Sequence, residues 1–327
     1  MKPVSVLGRF LETVNRWELL PRGCRVLVAV SGGPDSVCLL DLLRAVARRF
    51  ELKLCAFHMN HRLRPTAERD EGFVRKLCAD WDVPLTVVRS DVAAYARRHR
   101  LGLEEAGREL RYHHLARIAK RLGCDRIALG HTADDNLETI ILNLARGAGL
   151  RGLSGIPVVR DNFIRPLLDL ERNEILSHLR ARGIEWVEDE SNKDPRFRRN
   201  LVRQELVPLL KRLSPAAVQN ARRAATLLAD DDRLLETIAA SEVGKVVVSR
   251  RPAISIDTRE FAQYNISLKR RILRQLFPEL NSNDVERIIS LTQNRSSGRL
   301  VLRAGIEARL ENGLLRLSRP RRGGKRG

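Results

Sequence analysis

The chain has 327 residues, 43% of them hydrophobic and 31% charged, and its 60 Lys and Arg against 40 Asp and Glu give a net charge of +20. That length allows two domains with a full core and excludes a fibrous or disordered chain, while the positive excess points to a polyanionic partner. Five cysteines (Cys24, Cys38, Cys55, Cys78 and Cys124) form no C-x-x-C pair. Their scatter argues against a disulfide scaffold, a zinc ribbon or an iron–sulfur site, and for a reducing compartment. Arg9, Glu12, Arg16 and Glu18 break up the N-terminal segment, and no run reaches the roughly 18 apolar residues of a membrane span. A cytoplasmic protein with no membrane association is expected.

The first 22 residues pattern as an amphipathic helix and a Pro-Arg-Gly turn. An apolar strand over 26–30 then runs into Ser31-Gly32-Gly33-Pro34-Asp35-Ser36 and a helix starting near Asp35. A strand over 53–58 ends in His58-Met59-Asn60-His61-Arg62-Leu63-Arg64. Next come a helix over 67–81, a strand over 85–88 and helices over 91–100 and 103–122. A strand over 126–130 delivers His131-Thr132-Ala133-Asp134-Asp135-Asn136-Leu137-Glu138-Thr139 into a further helix. Strands alternating with helices predict an α/β fold with a doubly wound parallel sheet, which binds ligands at strand carboxyl ends where strand order reverses. Three polar clusters stand at three such ends. Beyond them, a glycine-rich loop over 147–155 is able to face substrate, 163–170 is extended, 172–182 is helical and 186–203 is polar. The expected organisation is a catalytic domain over 1–205 and a helical linker over 206–240, with breaks at Pro208 and Pro215. A smaller α+β domain follows over 241–318, then a basic tail over 319–327. Residues 203–327 hold 25 Lys and Arg against 13 Asp and Glu, so positive charge is denser there.

The turn Ser31–Ser36 is built for an anion, because its glycines permit close backbone approach and the following helix offers amides and a favourable dipole. It is neither G-x-x-x-x-G-K-[ST] nor G-x-G-x-x-G. Asp135 and Glu138 share a helix face at i, i+3, as do Asp134 and Glu138 at i, i+4. Such carboxylates suit a cationic substrate or magnesium, or equally a solvated helix start favoured by the dipole. His131 suits a phosphate contact or simple packing. Arg111 suits a phosphate clamp, though in a chain this basic a surface role is the commoner one. His58 and His61 lack nearby carboxylates or thiols, which argues against zinc.

Together, SGGPDS, HMNHRLR, E-x-x-R-x-x-R-Y (from Glu105 to Tyr112), GHTADDNLET, R-P-L-L (from Arg165) and the E-D-x-S-N-x-D-x-x-F-x-R-N-x-x-R signature ending at Arg203 resemble the tRNA(Ile)-lysidine synthetase family. The first motif alone marks the PP-loop ATP pyrophosphatase superfamily. The resemblance implies a ligase that uses ATP and Mg²⁺ to join L-lysine to C2 of the wobble cytidine of a CAU-anticodon tRNA(Ile) through an adenylated cytidine. It further implies that Ser31, Gly32, Gly33, Pro34, Asp35, Ser36 and His131 contact ATP, with Asp35 on the metal. Asp135 and Glu138 would hold lysine, and Asp35, Arg111, Asp135 and Glu138 would form the catalytic set. Arg196, Arg198, Arg199, Asn200 and Arg203 would meet RNA, with Phe197 stacking or packing among them. The unit over 241–318 is similar to that family's basic, tRNA-binding substrate domain. The chain is short for the family, ending after one such domain where longer members carry a second, and its oligomeric state is open, a homodimer being one option. The alternative of a tRNA thiolase is disfavoured by the missing C-x-x-C. A glutamine-dependent ligase is disfavoured by the lack of an amidotransferase segment, and an inactive RNA-binding protein by the intact loop and carboxylates.

Overall fold

The computed structural model describes residues 5–61, 67–188, 198–251, 253–294, 297–303 and 305–319. By packing the chain divides into two units, Met1–Leu227 and Leu228–Gly327. In the first unit, α1 (Val6–Arg16), β1 (Arg25–Ala29), α2 (Pro34–Phe50), β2 (Lys53–Asn60), α3 (Ala67–Asp80) and β3 (Leu85–Arg89) are followed by α4 (Val92–His99), α5 (Leu103–Leu122), β4 (Arg126–Ala128) and α6 (Ala133–Leu144). The short α7 (Leu150–Leu153), β5 (Val159–Arg160), β6 (Phe163–Ile164) and α8 (Arg172–Ala181) come next, then α9 (Arg198–Leu201), a π-helical turn (Val202–Leu206) and α10 (Val207–Leu213). Helix α11 (Ala217–Val246) contains the boundary between the units.

The sheet order is β3-β2-β1-β4-β6-β5, parallel except for the edge strand β5. Both faces of β1 are buried, as a central parallel strand requires. Val26 and Val28 face a core with Phe10, Val14, Leu39, Leu43, Val74 and Ile175, contributed by α1, α2, α3 and α8. Leu27 faces the other way, onto Phe57, Leu115, Ile118 and Ile127, where α5 closes the sheet. The strand order reverses between β1 and β4, so the segments leaving these two strands lie side by side.

Several elements differ from the sequence reading. The strand expected over 126–130 stops at Ala128, because Gly130 already packs on the turn after β1. The extended stretch over 163–170 pairs only at Phe163–Ile164. After that it turns inward to bury Leu167, Leu168 and Leu170. Pro208 does not break the helical run: it occupies the first turn of α10, where its missing N–H is no loss, and the break falls after Leu213. Arg62 to Arg64 and the signature residues from Asp189 to Phe197, Arg196 included, lie outside the described residues.

Among the described residues, the second unit is a five-stranded antiparallel sheet packed against helices, including the C-terminal part of α11, whose Ala239 and Val246 join its core. Its elements are β7 (Val247–Ser249), β8 (Ile254–Asp257), α12 (Thr258–Ala262), α13 (Ile266–Leu276), α14 (Ser282–Asn294), β9 (Gly298–Val301), β10 (Glu307–Glu311) and β11 (Leu314–Ser318), in sheet order β7-β8-β11-β10-β9. Ile256, Ala308, Leu310, Leu315 and Leu317 face the helices and pack on Phe261, Ile272, Leu273 and Ile288.

The end of β2 is fixed by a buried carboxylate. Glu71 accepts hydrogen bonds from Asn60 (3.0 Å), Arg75 (2.9 Å) and Arg89 (2.8 Å). The Arg89 hydrogen bond, with those from Asn60 and Arg75, outweighs burial and holds the carboxyl at about 2. Its stabilisation is therefore present above the unfolded carboxylate range and fades as pH falls from about 4.3 towards 2. Glu71→Gln should lower stability at pH 7 by ~1.5–3 kcal/mol, with the difference shrinking in acid. Urea unfolding followed by tryptophan fluorescence checks this, since Trp17, Trp81 and Trp186 all lie in the first unit.

Candidate active site

The turn after β1 is closed on itself by hydroxyls. The Ser31 amide donates to Ser36 Oγ at 3.1 Å, Ser36 Oγ donates to the Gly33 carbonyl at 2.9 Å, and the Gly33 amide reaches Ser31 Oγ at 3.3 Å. Gly32 has φ +94°, a conformation that favours glycine, and its carbonyl accepts from the Val187 amide at 2.9 Å. Gly33 caps α2 without a side-chain hydrogen bond, and Pro34 occupies the first turn. The helix start is thus left for an anion. From β2, His58 donates through Nδ1 to the Val30 carbonyl at 2.9 Å, so this buried histidine braces the turn.

Gly130 is the residue of this site that the sequence reading missed. A Cβ there would lie 3.1 Å from the carbonyl carbon and oxygen of Asp35 and 3.2 Å from the Ser36 amide nitrogen. Only a bare backbone lets the exit of β4 lie this close to the turn. Arg172, at the start of α8, was also missed: it donates to Asp35 Oδ2 at 3.3 Å. Its only sequence signal is a charge at a helix start.

Asp35 Oδ1 is buried with no hydrogen-bond partner. Burial pushes the Asp35 carboxyl up to about 6, against the pull of Arg172. His131, following Gly130, also has an unpartnered buried atom, Nδ1. Burial, opposed by Asp135 but reinforced by Arg165 and Arg111, presses it down to about 3 and keeps the imidazole neutral. Arg111 is a third such group. Burial lowers its pKa from the usual arginine range, its Nε is buried and unpartnered, and it has no ion-pair partner among the described residues. Beside it, Arg165 donates to the Pro157 carbonyl at 2.7 Å and to Tyr112 Oη at 3.4 Å. Among the described residues neither arginine has an ion-pair partner, although Asp135 is near enough to act on Arg111.

The acidic side of the site is set by α6. Thr132 caps the helix, and Asp135 Oδ2 accepts back from its amide at 2.9 Å. Asp135 and Glu138 therefore project together, with Glu138 only 1% exposed. They are not a solvated helix end. Arg199 donates to Glu138 at 2.7 Å and to Asp135 at 3.2 Å, and Arg203 does so at 2.6 and 3.2 Å. Burial would raise the Asp135 carboxyl, but Arg199 with its neighbours holds it below the usual range. Of the residues assigned to RNA, Arg199 and Arg203 thus point onto the acid pair, Asn200 is buried and Arg198 is exposed. A cavity of about 450 Å³ opens beside Glu138, lined also by Asp134, Arg203, Val207, Lys211 and Arg212.

Two outcomes follow from this geometry. Gly130→Ala should leave the fold intact by circular dichroism but weaken ATP binding at least about tenfold, because the turn must shift to admit the methyl group. For Asp35 the folded carboxyl titrates near 6 and an unfolded one near 3.9. Ionisation therefore lowers the stability of the ligand-free protein as pH rises from about 4 to about 6. Without magnesium, Asp35→Asn should be more stable than the wild type above pH 6, by ~2–3 kcal/mol, and no more stable below about pH 4. Thermal melts across that range check the sign.

Comparison with known proteins agrees with this geometry. Residues 8–210 match the family model of a PP-loop domain. The chain is 31% identical over 313 residues to the tRNA(Ile)-lysidine synthase of Caldanaerobacter subterraneus subsp. tengcongensis, spanning 93% of this chain and 67% of that protein. It is 34% identical over 320 residues to that of Chlorobaculum tepidum, spanning 94% of this chain and 95% of that protein. Among solved structures, the U34-tRNA thiolase NcsA from Methanococcus maripaludis shares the fold, with a TM-score of 0.59 at 17% identity over 68% of this chain and 78% of that one. With residues 8–210 matched by the PP-loop model and relatives of 31% and 34% identity spanning more than nine-tenths of it, the chain belongs to the tRNA(Ile)-lysidine synthase family of PP-loop proteins.

Proposed function

We propose that the chain ligates L-lysine to C2 of the wobble cytidine of a CAU-anticodon tRNA(Ile), through an adenylated cytidine, giving lysidine with release of pyrophosphate and AMP. The observation that carries this reading is a division of charge within the site. The acid pair, through Asp135, lies within electrostatic reach both of Asp35, at an uncapped helix start, and of Arg111, whose buried Nε has no hydrogen-bond partner. The reaction needs that division, because one substrate brings phosphates and the other an amine.

In this reading Ser31, Gly32, Gly33, Pro34 and Ser36 hold the pyrophosphate, and the amides at the start of α2 stabilise it as it leaves. Neutral His131 hydrogen-bonds the nucleotide without adding charge. Arg111, with no carboxylate to satisfy it, neutralises charge on the activated cytidine and its phosphate. Asp135 and Glu138 hold the lysine ε-ammonium. Their present guanidinium partners show that the pair accepts cations in this geometry, and the incoming amine joins or displaces them. Once released, Arg199 and Arg203 reach RNA phosphates along with Arg196 and Arg198, whereas Asn200 is buried in the protein.

Magnesium fits the donor set. The unpartnered Asp35 Oδ1 supplies one carboxylate oxygen, and the ion ordinarily combines one or two carboxylates with substrate phosphates. Among the described residues no group of three or more His, Cys, Asp or Glu gathers to cage a metal by itself. When bound, the ion would neutralise charge on the phosphates. Asp35 would hold it, and Arg172 would orient Asp35. Among the described residues no helix is long and apolar enough to cross a membrane, consistent with a cytoplasmic enzyme acting on tRNA.

Incubation of a CAU-anticodon tRNA(Ile) with ATP and labelled lysine, then nucleoside digestion, should yield labelled lysidine. Label found elsewhere, or none, would defeat the proposal. Glu138→Gln should raise the lysine KM by about tenfold or more while adenylation of the RNA continues, because a charge-assisted contact is lost from only one substrate. If adenylate formation stopped as well, Glu138 would belong to the nucleotide site instead.

A further inference from the structure

Helix α8 meets α2 through two polar contacts, and the ligation chemistry uses only one of them. The first is Arg172, which donates to Asp35 Oδ2 at 3.3 Å. The second is His178, whose Nε2 donates to Asp41 Oδ2 at 2.9 Å. Asp41 is six residues beyond Asp35 on α2, and His178 is six beyond Arg172 on α8. Both contacts thus join residues 137 apart in the chain, so the two helices run in the same direction and hold one register over both. At 1.5 Å per residue the contacts stand about 9 Å apart. Arg182, at the end of α8, brings a second cation to Asp41 at 3.1 Å.

Folding alone does not call for a carboxylate at this place. Asp41 is buried in the stretch of α2 whose Cys38 and Leu42 join Ile175 and Leu179 of α8 in one core. A buried ion pair is often no more stabilising than well-packed apolar side chains of similar volume. What it supplies is direction. Apolar packing tolerates a slide of one helix along the other, whereas a hydrogen bond weakens steeply once its donor is misaligned. The start of α8 has its own anchor, since the Arg172 amide donates to Asp134 Oδ2 at 2.7 Å. One anchor leaves a helix free to pivot, and a second at the opposite end fixes its axis. The Arg172 guanidinium reaches Asp35 from that axis, so a pivot carries it away.

We propose that Asp41 is a positioning residue: by holding His178 and Arg182 it locks α8 in register on α2, so that Arg172 meets Asp35 at the nucleotide turn. The proposal rests on the reading of that turn as the ATP site; the lock itself rests on the two matched contacts. Arg172 donates to Oδ2 and leaves Oδ1, the oxygen proposed for magnesium, without a hydrogen-bond partner. With α8 unlocked, Asp35 loses the contact that decides which oxygen it offers.

The test measures binding of MgATP to the full chain by isothermal titration calorimetry, without tRNA, beside thermal melts of each variant. Asp41→Leu replaces the carboxylate with an apolar side chain. It should melt close to the wild type, since the core gains what the ion pair loses, yet bind MgATP about fivefold or more weakly. Asp41→Asn keeps an oxygen that accepts from His178 and should lose less. In an Arg172→Gln background, which already lacks the guanidinium, Asp41→Leu should cost no further affinity, because both changes act through one contact. Unchanged MgATP affinity in Asp41→Leu would overturn the proposal, as would a loss that simply adds to that of Arg172→Gln. A fall in affinity matched by a fall in the folded fraction would overturn it too, since Asp41 would then only hold the fold together. In each of these cases the wild type still binds, and the reading of the turn as an ATP site stands. No binding of MgATP by the wild type would defeat that reading and the proposal with it. Asp41-dependent MgATP binding with no lysidine formed would leave the lock standing and defeat only the proposed ligation.

Discussion

The parallel pairing of β1 with β4 is the constraint on which the site depends. Val26, Leu27 and Val28 lie beside Arg126, Ile127 and Ala128, joining segments about a hundred residues apart in sequence. Strand order reverses here, so nothing crosses the gap between the two strand ends. The phosphate-type turn and the acidic helix start emerge next to each other, held apart only by the thickness of a glycine. Gly130 can be replaced by no side chain without displacing backbone that carries Asp35. Steric contact between two main chains thus fixes the distance between chemistries of opposite charge.

That arrangement keeps charge in surroundings where it is hard to hold. Asp35 and Arg111 have buried polar atoms with no partner, and His131 is held uncharged. Unsatisfied groups of this kind destabilise the ligand-free protein, and they are tolerated where a ligand completes them. Asp135 and Glu138 differ, because two guanidinium groups already complete them. The acid pair thus already carries two cations, whereas Asp35 Oδ1, His131 Nδ1 and Arg111 Nε are buried without a hydrogen-bond partner. The two sides of the site are satisfied in different ways.

Much of this was legible in the sequence. The apolar run before Ser31 and the strand–helix alternation gave the doubly wound sheet, and the i, i+3 spacing of Asp135 and Glu138 after the strand over 126–130 gave a helix that carries both on one face. Contacts between distant segments left no such trace. No local pattern says that Arg172 reaches Asp35, or that Arg199 and Arg203 turn inward, because a basic residue reads alike whether its partner is water, RNA or a carboxylate. Gly130 was visible only as one more glycine, since its role depends on what packs against it. The break at Pro208 was expected from propensity alone and failed because proline is well accommodated in a first helical turn.

Helix α1 packs on the core that Ile175 and Leu179 of α8 complete, and Arg9 pairs with Glu174. During synthesis the N-terminal helix therefore leaves the ribosome long before its partner exists. β1 finds β2 early but waits for its other neighbour, about a hundred residues downstream, and contacts of such long sequence separation form slowly. Until roughly the first 180 residues have emerged, the core that α1 and α2 share with α8 is incomplete. Nascent chains of this protein are exposed to aggregation over most of the time taken to make the first unit, a window in which chaperone capture is favoured. The same non-local pairing that assembles the active site thus makes its biogenesis vulnerable.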